Sequence, residues 1–161
     1  MAISNKNVDL IQQVCEKTHN YSLCVSSLKS DPRGIKADLK DLVVIMMDLA
    51  LVKSIKISEL IIKLNKTASD PLVRSCLHVC SIEYDTSIGS LQDAIDAFES
   101  NSYDESYRQL TVAASGPGNC EETFTEPPAR KSPLTAVDAY FYSMVTIAED
   151  ILSMVMKHKS P

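Results

Sequence analysis

A chain of 161 residues with a formal charge of −5 and only four glycines has the mass for one hydrophobic core and too few turn formers for a β-sandwich or barrel. Its Lys and Arg are scattered and form no basic stripe, which excludes a phosphate-neutralising nucleic-acid binder. The longest apolar stretches, Leu42 to Met47 and Leu49 to Val52, are interrupted by Asp48 and Lys53 and fall short of the roughly 20 residues that span a bilayer, so no membrane partner is expected.

Met1 to Asp9 contain no apolar run of the signal-peptide kind, so for a secreted protein the leader is expected to have been removed. Val8, Ile11, Val14 and Cys15 are spaced for a short helix and Ser22 to Leu28 for another, closed by the turn Ser30-Asp31-Pro32-Arg33-Gly34. From Asp38 to Leu64 the residues Leu39, Leu42, Met46, Leu49, Ala50, Ile57, Leu60, Ile61 and Leu64 recur as one face of a helix. Counted from Lys36 to Lys66 at about 1.5 Å per residue, that helix is about 45 Å long, a length natural to a bundle. Lys53 interrupts the stripe and is expected to snorkel.

Ser69-Asp70-Pro71 offers a capping side chain followed by Pro in the first turn, and Val73, Leu77, Cys80, Tyr84, Ile88, Leu91, Ile95 and Phe98 carry the next stripe. A third run, Tyr103, Tyr107, Leu110, Ala114, Cys120 and Phe124, contains Gly116-Pro117-Gly118, which predicts a break or kink and two helical pieces. Pro127-Pro128 ends it. Ser132-Pro133 then opens a last helix whose stripe is Leu134, Val137, Phe141, Met144, Ala148, Ile151 and Val155. The pattern predicts an all-α fold: a helical hairpin over residues 1–34 and an up-down-up-down four-helix bundle over 35–161, together one domain.

Five cysteines stand at Cys15, Cys24, Cys76, Cys80 and Cys120, at spacings that match no zinc pattern, so no metal is expected. Cys15 and Cys24 flank a short polar segment whose reversal would bring them within disulfide reach, and Cys80 with Cys120 could join distant elements. Oxidised secretion suits this set better than the cytosol. The sequons Asn20-Tyr21-Ser22 and Asn65-Lys66-Thr67 make Asn20 and Asn65 glycosylation candidates.

The search for chemistry returns little. His19, His78 and His158 have no Cys, Asp or Glu at a spacing that suggests a triad or metal clamp, and the phosphate-loop, nucleophile-elbow and zinc-helix motifs are missing. No catalytic residue and no cofactor are expected. Glu121-Glu122, or Asp93 with Asp96, could be put forward as the acid and base of a glycosidase. Solvated surface is the better reading, because a bundle of this size offers no evident cleft to raise a carboxyl pKa. Tyr103 and Tyr107, four apart beside Asp104 and Glu105, make either an aromatic and acidic interface edge or two rings packed on neighbouring helices.

The segments Cys15-Glu16-Lys17-Thr18, Asn20-Tyr21-Ser22-Leu23-Cys24 and Leu28-Lys29-Ser30-Asp31-Pro32-Arg33 resemble the opening of the plant invertase and pectin methylesterase inhibitors. Asp70-Pro71-Leu72 leading to Cys80-Ser81-Ile82-Glu83-Tyr84 is similar too, as is Asn119-Cys120-Glu121-Glu122-Thr123-Phe124 followed by Ser132-Pro133-Leu134-Thr135. The likeness runs from about Val8 to Val155 and is closest to members labelled invertase inhibitor or pectinesterase inhibitor. It implies a secreted, non-catalytic inhibitor of the cell wall and apoplast, or of the vacuole, with disulfides Cys15 to Cys24 and Cys80 to Cys120 and a free thiol at Cys76.

The resemblance also bears on the target. Family members that inhibit invertase carry a Pro-Lys-Phe segment where this chain has Tyr103, Asp104 and Glu105. Its absence favours a pectin methylesterase, with an acid invertase as the alternative partner, although Ile45-Met46-Met47-Asp48 and Ser132-Pro133-Leu134 resemble members labelled invertase inhibitors. One-to-one contact is expected through Glu83, Asp85, Gln92, Asp93, Tyr103 and Tyr107, on the second and third bundle segments. A function of another class, a carrier of small apolar ligands, needs a large internal cavity. Phe98, Phe124, Phe141 and Met144 on facing stripes are expected to fill that space.

Overall fold

A computed structural model describes residues 10–159, so Val8 of the first predicted helix lies outside the described residues. Within them the chain forms helices and connections with no strand. Helix α1 occupies residues 10–15, α2 Tyr21–Ser30, a 3-10 turn Pro32–Lys36, α3 Leu39–Thr67, α4 Pro71–Glu99, α5 Tyr103–Thr125 and α6 Thr135–Lys159. The first two helices make an N-terminal hairpin, and the last four make a bundle in which each helix packs on two others around a ring.

The starts of these elements follow from local chemistry. A helix leaves its first N–H groups unpaired, and short polar side chains accept from them. Asn20 Oδ1 receives the Leu23 N–H at 3.2 Å, and Asp31 Oδ1 receives that of Arg33 at 2.9 Å. Asp38 and Asp41 cap α3 reciprocally, each carboxylate accepting the other's backbone N–H at 2.8 and 3.0 Å. Asp70 accepts from Leu72 at 2.9 Å, with Pro71 in the first turn as predicted. Ser132 Oγ accepts from Leu134 at 3.0 Å just ahead of α6.

The core follows the predicted stripes. Leu42, Met46, Ala50, Ile57 and Ile61 of α3 face Leu77, Tyr84 and Leu91 of α4, with Phe124 of α5 and Phe141, Ala148 and Ile151 of α6, all buried. The Tyr84 and Phe141 rings lie 5.4 Å apart between centroids, tilted by 52°. Large side chains therefore occupy the bundle centre that a carrier would need to leave vacant. Near its start α3 is buried on almost all sides, Val43, Ile45 and Met47 included, because the hairpin and 3-10 turn pack where the bundle leaves it open. Lys53 lays its ammonium 4.8 Å from the centroid of the Tyr140 ring, a cation–π contact that keeps the charge at the surface.

The third bundle segment departs from expectation. The predicted break at Gly116-Pro117-Gly118 does not occur, and α5 runs through Pro117 as one helix. Pro117 has no N–H to give the Ala113 carbonyl four residues back, which in an isolated helix costs about 3 kcal/mol or more. Here Ser87 of α4 supplies the missing donor, its hydroxyl reaching Ala113 O at 2.9 Å. Gly116 permits that approach, since a Cβ there would run into Ser87 Oγ and stand 3.3 Å from Glu83 O.

The same pairing repeats along the seam. Cys80 bonds Cys120 with Cα atoms 4.6 Å apart, Ser87 reaches Ala113, and Ser106 Oγ donates to Ala94 O at 2.7 Å. Each step of seven residues forward on α4 is a step of seven back on α5. That is the register of two antiparallel helices in close contact.

Candidate functional site

The expected partner-binding residues do not form one patch. Asp85, Gln92 and Asp93 are exposed, and helical spacing puts them on the outward side of α4 with Asp96 and with Ile82, which is 53% exposed. None of these carboxylates joins an ion pair among the described residues. Glu83 lies on the opposite edge of α4, half-buried against α5, where its carboxylate accepts from Asn119 Nδ2 at 3.2 Å. Tyr103 follows the second of its two readings, a ring packed on a neighbouring helix. It is only 9% exposed, packs on Phe98 at 5.1 Å between centroids and donates its hydroxyl to Asn101 Oδ1 at 3.1 Å, so burial takes it out of any contact surface. Tyr107 is half-buried towards α6, and desolvation followed by the nearby Glu149 carboxylate raises its pKa.

The two disulfides join Cys15 to Cys24 and Cys80 to Cys120, and Cys76 remains a thiol whose S–H donates to Thr123 O at 3.4 Å. Of the sequon asparagines, Asn20 spends its carbonyl oxygen on the α2 cap. The side-chain oxygen of Asn65, near the end of α3, is buried without a hydrogen-bond partner.

Two polar clusters escaped the sequence reading because their members are far apart in the chain. At the first, His19 Nδ1 lies 2.8 Å from Asp150 Oδ2 and Nε2 lies 2.8 Å from Thr146 Oγ1. A hydroxyl, an imidazole and a carboxylate in this order have the outline of a nucleophilic triad. Thr146, however, sits inside α6, where its hydroxyl reaches the Tyr142 and Ser143 carbonyls at 3.0 and 3.1 Å. The neighbouring helical N–H groups are engaged in the helix and offer no oxyanion hole. The cluster is a clasp that fastens the hairpin turn to α6, reinforced by the His19 N–H donating to Asp150 at 3.1 Å.

The second cluster joins three helices. Tyr84 of α4 donates its hydroxyl to Asp138 Oδ1 of α6 at 2.6 Å, while Asp138 Oδ2 is buried without a partner. A carboxylate oxygen of Glu121 on α5 lies within 4.8 Å of one of Asp138's. Burial first, and then the neighbouring Glu121, pushes the Asp138 pKa up to about 8. Burial would raise Glu121 as well, but the adjacent Asp138 carboxyl and the hydrogen bonds from Ser132 and Thr135 outweigh it and hold that carboxyl below its usual range. So Asp138, only 2% exposed, keeps the proton and Glu121 keeps the charge. A carboxyl pKa is raised here by enclosure at a helix joint and not in a cleft, and Glu121 neighbours Asp138 in space as well as Glu122 in sequence. A cation is poorly served at this point, because Cys120, the third candidate ligand, is locked in its disulfide and both Glu121 oxygens already accept from Ser132 and Thr135.

With this geometry in view, the chain matches the family described as plant invertase/pectin methylesterase inhibitor over residues 9–151. The chain belongs to that family. It is 36% identical to a pectinesterase inhibitor of Actinidia deliciosa over 74% of this chain and 64% of that protein, so the match spans just under two thirds of the relative. It is also 29% identical to the cell wall / vacuolar inhibitor of fructosidase 2 of Arabidopsis thaliana, over 77% of this chain and 69% of the other. The crystal structure of a mutant form of an Arabidopsis pectin methylesterase inhibitor superposes with a TM-score of 0.76 at 20% identity, covering 89% of this chain and 95% of that one, and it bears out the hairpin-plus-bundle fold. Membership of an inhibitor family agrees with the non-enzymatic reading of the sequence.

Proposed function

We propose that the protein is a secreted inhibitor that occludes the substrate cleft of a plant pectin methylesterase, in a one-to-one complex in the cell wall. The observation that carries this is the outward face of α4, where Asp85, Asp93 and Asp96 lie unpaired beside Gln92 and the exposed Ile82. An acidic stripe with an exposed apolar residue at one end steers a partner with a basic rim and offers it surface to desolvate. The α4–α5 seam, tied by a disulfide and two serine–carbonyl bonds, holds that face rigid, so little entropy is lost on association. Position 103 supports the same choice of target, since the residue standing at the first place of the invertase-directed segment is buried and cannot project into another enzyme's active site.

Acid invertase is the second reading, supported by the similarity to the inhibitor of fructosidase. Titration of the oxidised protein into a pectin methylesterase and into cell-wall and vacuolar invertases separates the two. The esterase activity is expected to fall stoichiometrically and the invertase activities to hold; the reverse outcome names invertase. Asp85→Lys with Asp93→Lys is expected to weaken esterase inhibition by tenfold or more, equivalent to about 1.4 kcal/mol, with unchanged helical circular dichroism.

A further inference from the structure

The cluster of Tyr84, Glu121 and Asp138 has no part in the proposed contact face, yet it places two carboxyl groups where α4, α5 and α6 meet. Asp138 Oδ2 has neither a hydrogen-bond partner nor access to solvent. An oxygen so enclosed cannot be satisfied by bulk water, and a bare carboxylate there would carry a large desolvation cost beside a second negative charge. A proton removes both costs at once, since a protonated Asp138 becomes a donor towards Glu121. The other valences are met: Tyr84 serves Oδ1, while Ser132 and Thr135 serve the two oxygens of Glu121.

We propose that one proton shared between Asp138 and Glu121 locks the joint of α4, α5 and α6, and that the stability this proton confers declines as the medium passes from acid towards neutral and alkaline. The titratable groups acting on Asp138 are Tyr84 from α4 and Glu121 from α5; α3 contributes none, and no Lys, Arg or His pairs with either carboxyl among the described residues. With both groups ionised, the like charges push the N-terminal end of α6 away from α5 beside the Cys80–Cys120 bridge. A shallow groove of about 240 Å³, lined by Pro117, Gly118 and Tyr142 and by Glu121 and Asp138 themselves, lies over this point, though Asp138 Oδ2 is shut off from it.

The sign follows from linkage. Folding holds the Asp138 pKa above its unfolded value, so the native state binds the extra proton, and the stability it confers is complete below about 3.8 and lost as pH rises through about 8. Glu121, held below its usual range, works the other way and only in more acid solution. Glu149 of α6 is also raised, chiefly by burial, so the difference between parent and variant carries the test, not the parent slope alone.

Urea unfolding at steps from pH 5 to pH 8 is measured for the full chain and for Asp138→Asn, whose amide can still accept from Tyr84 and donate to Glu121. The unfolding equilibrium constant of the parent is expected to rise with pH by up to about tenfold per unit, the limit for one proton, and Asp138→Asn is expected to remove most of that rise. Equal slopes in the two proteins overturn the proposal. Should the variant not fold, the side-chain carboxyl carbon of Asp138 is followed by NMR in the unaltered protein. A midpoint well above the ordinary aspartate range supports the shared proton, and one at about 3.9 refutes it.

Discussion

The α4–α5 seam and the N-terminal hairpin each carry one disulfide, yet the two regions are held in different ways. Along the seam the helices approach closely enough for side-chain hydroxyls to reach the opposite backbone, at Ser87 to Ala113 and Ser106 to Ala94, and Gly116 leaves room for the contact. The hairpin buries Ile11, Val14 and Leu28 in the common core, and the polar bonds that tie it to the bundle are partly exposed: His19 with Asp150 and Thr146, and Arg33 with Asp48. Buried bonds to backbone cost the full desolvation penalty when a partner is removed, whereas exposed pairs exchange with water at little cost. The polar bonds of the seam should therefore contribute more to the global stability of the molecule than those of the hairpin, whose loss should be felt locally first.

The largest test of that contrast is to open each disulfide in turn. Cys80 and Cys120 are 40 residues apart and Cys15 and Cys24 are 9 apart, so loop-closure entropy alone predicts about 4 kcal/mol for the first and about 2.6 kcal/mol for the second. Urea unfolding of the paired Cys→Ser variants is expected to keep that order. A costlier hairpin disulfide would reverse the comparison. At the far end of the seam, Tyr103→Ala removes a buried ring packed on Phe98 and is expected to cost about 3 kcal/mol. Inhibition by the folded fraction should not change, because the ring is not on the surface.

The seam's middle yields a sharper test through non-additivity. Gly116→Ala gains up to about 1 kcal/mol of helix propensity, but its Cβ meets Ser87 Oγ in a contact that has little freedom to yield. Overpacking of this kind costs about 1–3 kcal/mol and outweighs the gain. Ser87→Ala alone leaves Ala113 O without its donor, at about 1–2 kcal/mol. In the double variant the clash disappears with the hydroxyl, so the combined loss should be smaller than the two single losses together. Additive losses would mean that Gly116 and Ser87 do not share one contact.

The contrast also marks what the sequence could disclose. Helix stripes, the caps at Asp70 and Ser132, and the hairpin turn are local patterns, and they were legible because each depends on residues within one or two turns of each other. Continuity of α5 through Pro117 was not, since the donor that replaces the missing N–H is Ser87, on another helix. Spacing alone left Tyr103 open between an interface edge and a packed ring, and its contact with Phe98 of the preceding helix decides for packing. The clasp of His19 with Asp150 and the coupling of Glu121 to Asp138 lie beyond any spacing rule, because the fold alone makes those residues neighbours. Of the expected contact surface, Asp85, Gln92 and Asp93 could be placed together by helical periodicity. Glu83 could have been set apart from them by the same count, which puts it on the α5 edge.

The smallest expected effect is at the clasp, and it is informative for that reason. His19 bridges Asp150 and Thr146 with both ring nitrogens, and its own N–H adds a third bond to Asp150. Its side chain is 43% exposed and that of Asp150 35%, so water and salt screen the pair, and such contacts contribute about 0–1 kcal/mol. His19→Ala keeps the backbone bond and is expected to leave global unfolding within about 1 kcal/mol of the parent. It should still raise amide hydrogen exchange in residues 16–30, because a hairpin released from α6 opens locally without unfolding the bundle. Exchange rising equally in the hairpin and in α4 and α5 would show the two regions to be one cooperative unit, and would remove the distinction between seam and clasp.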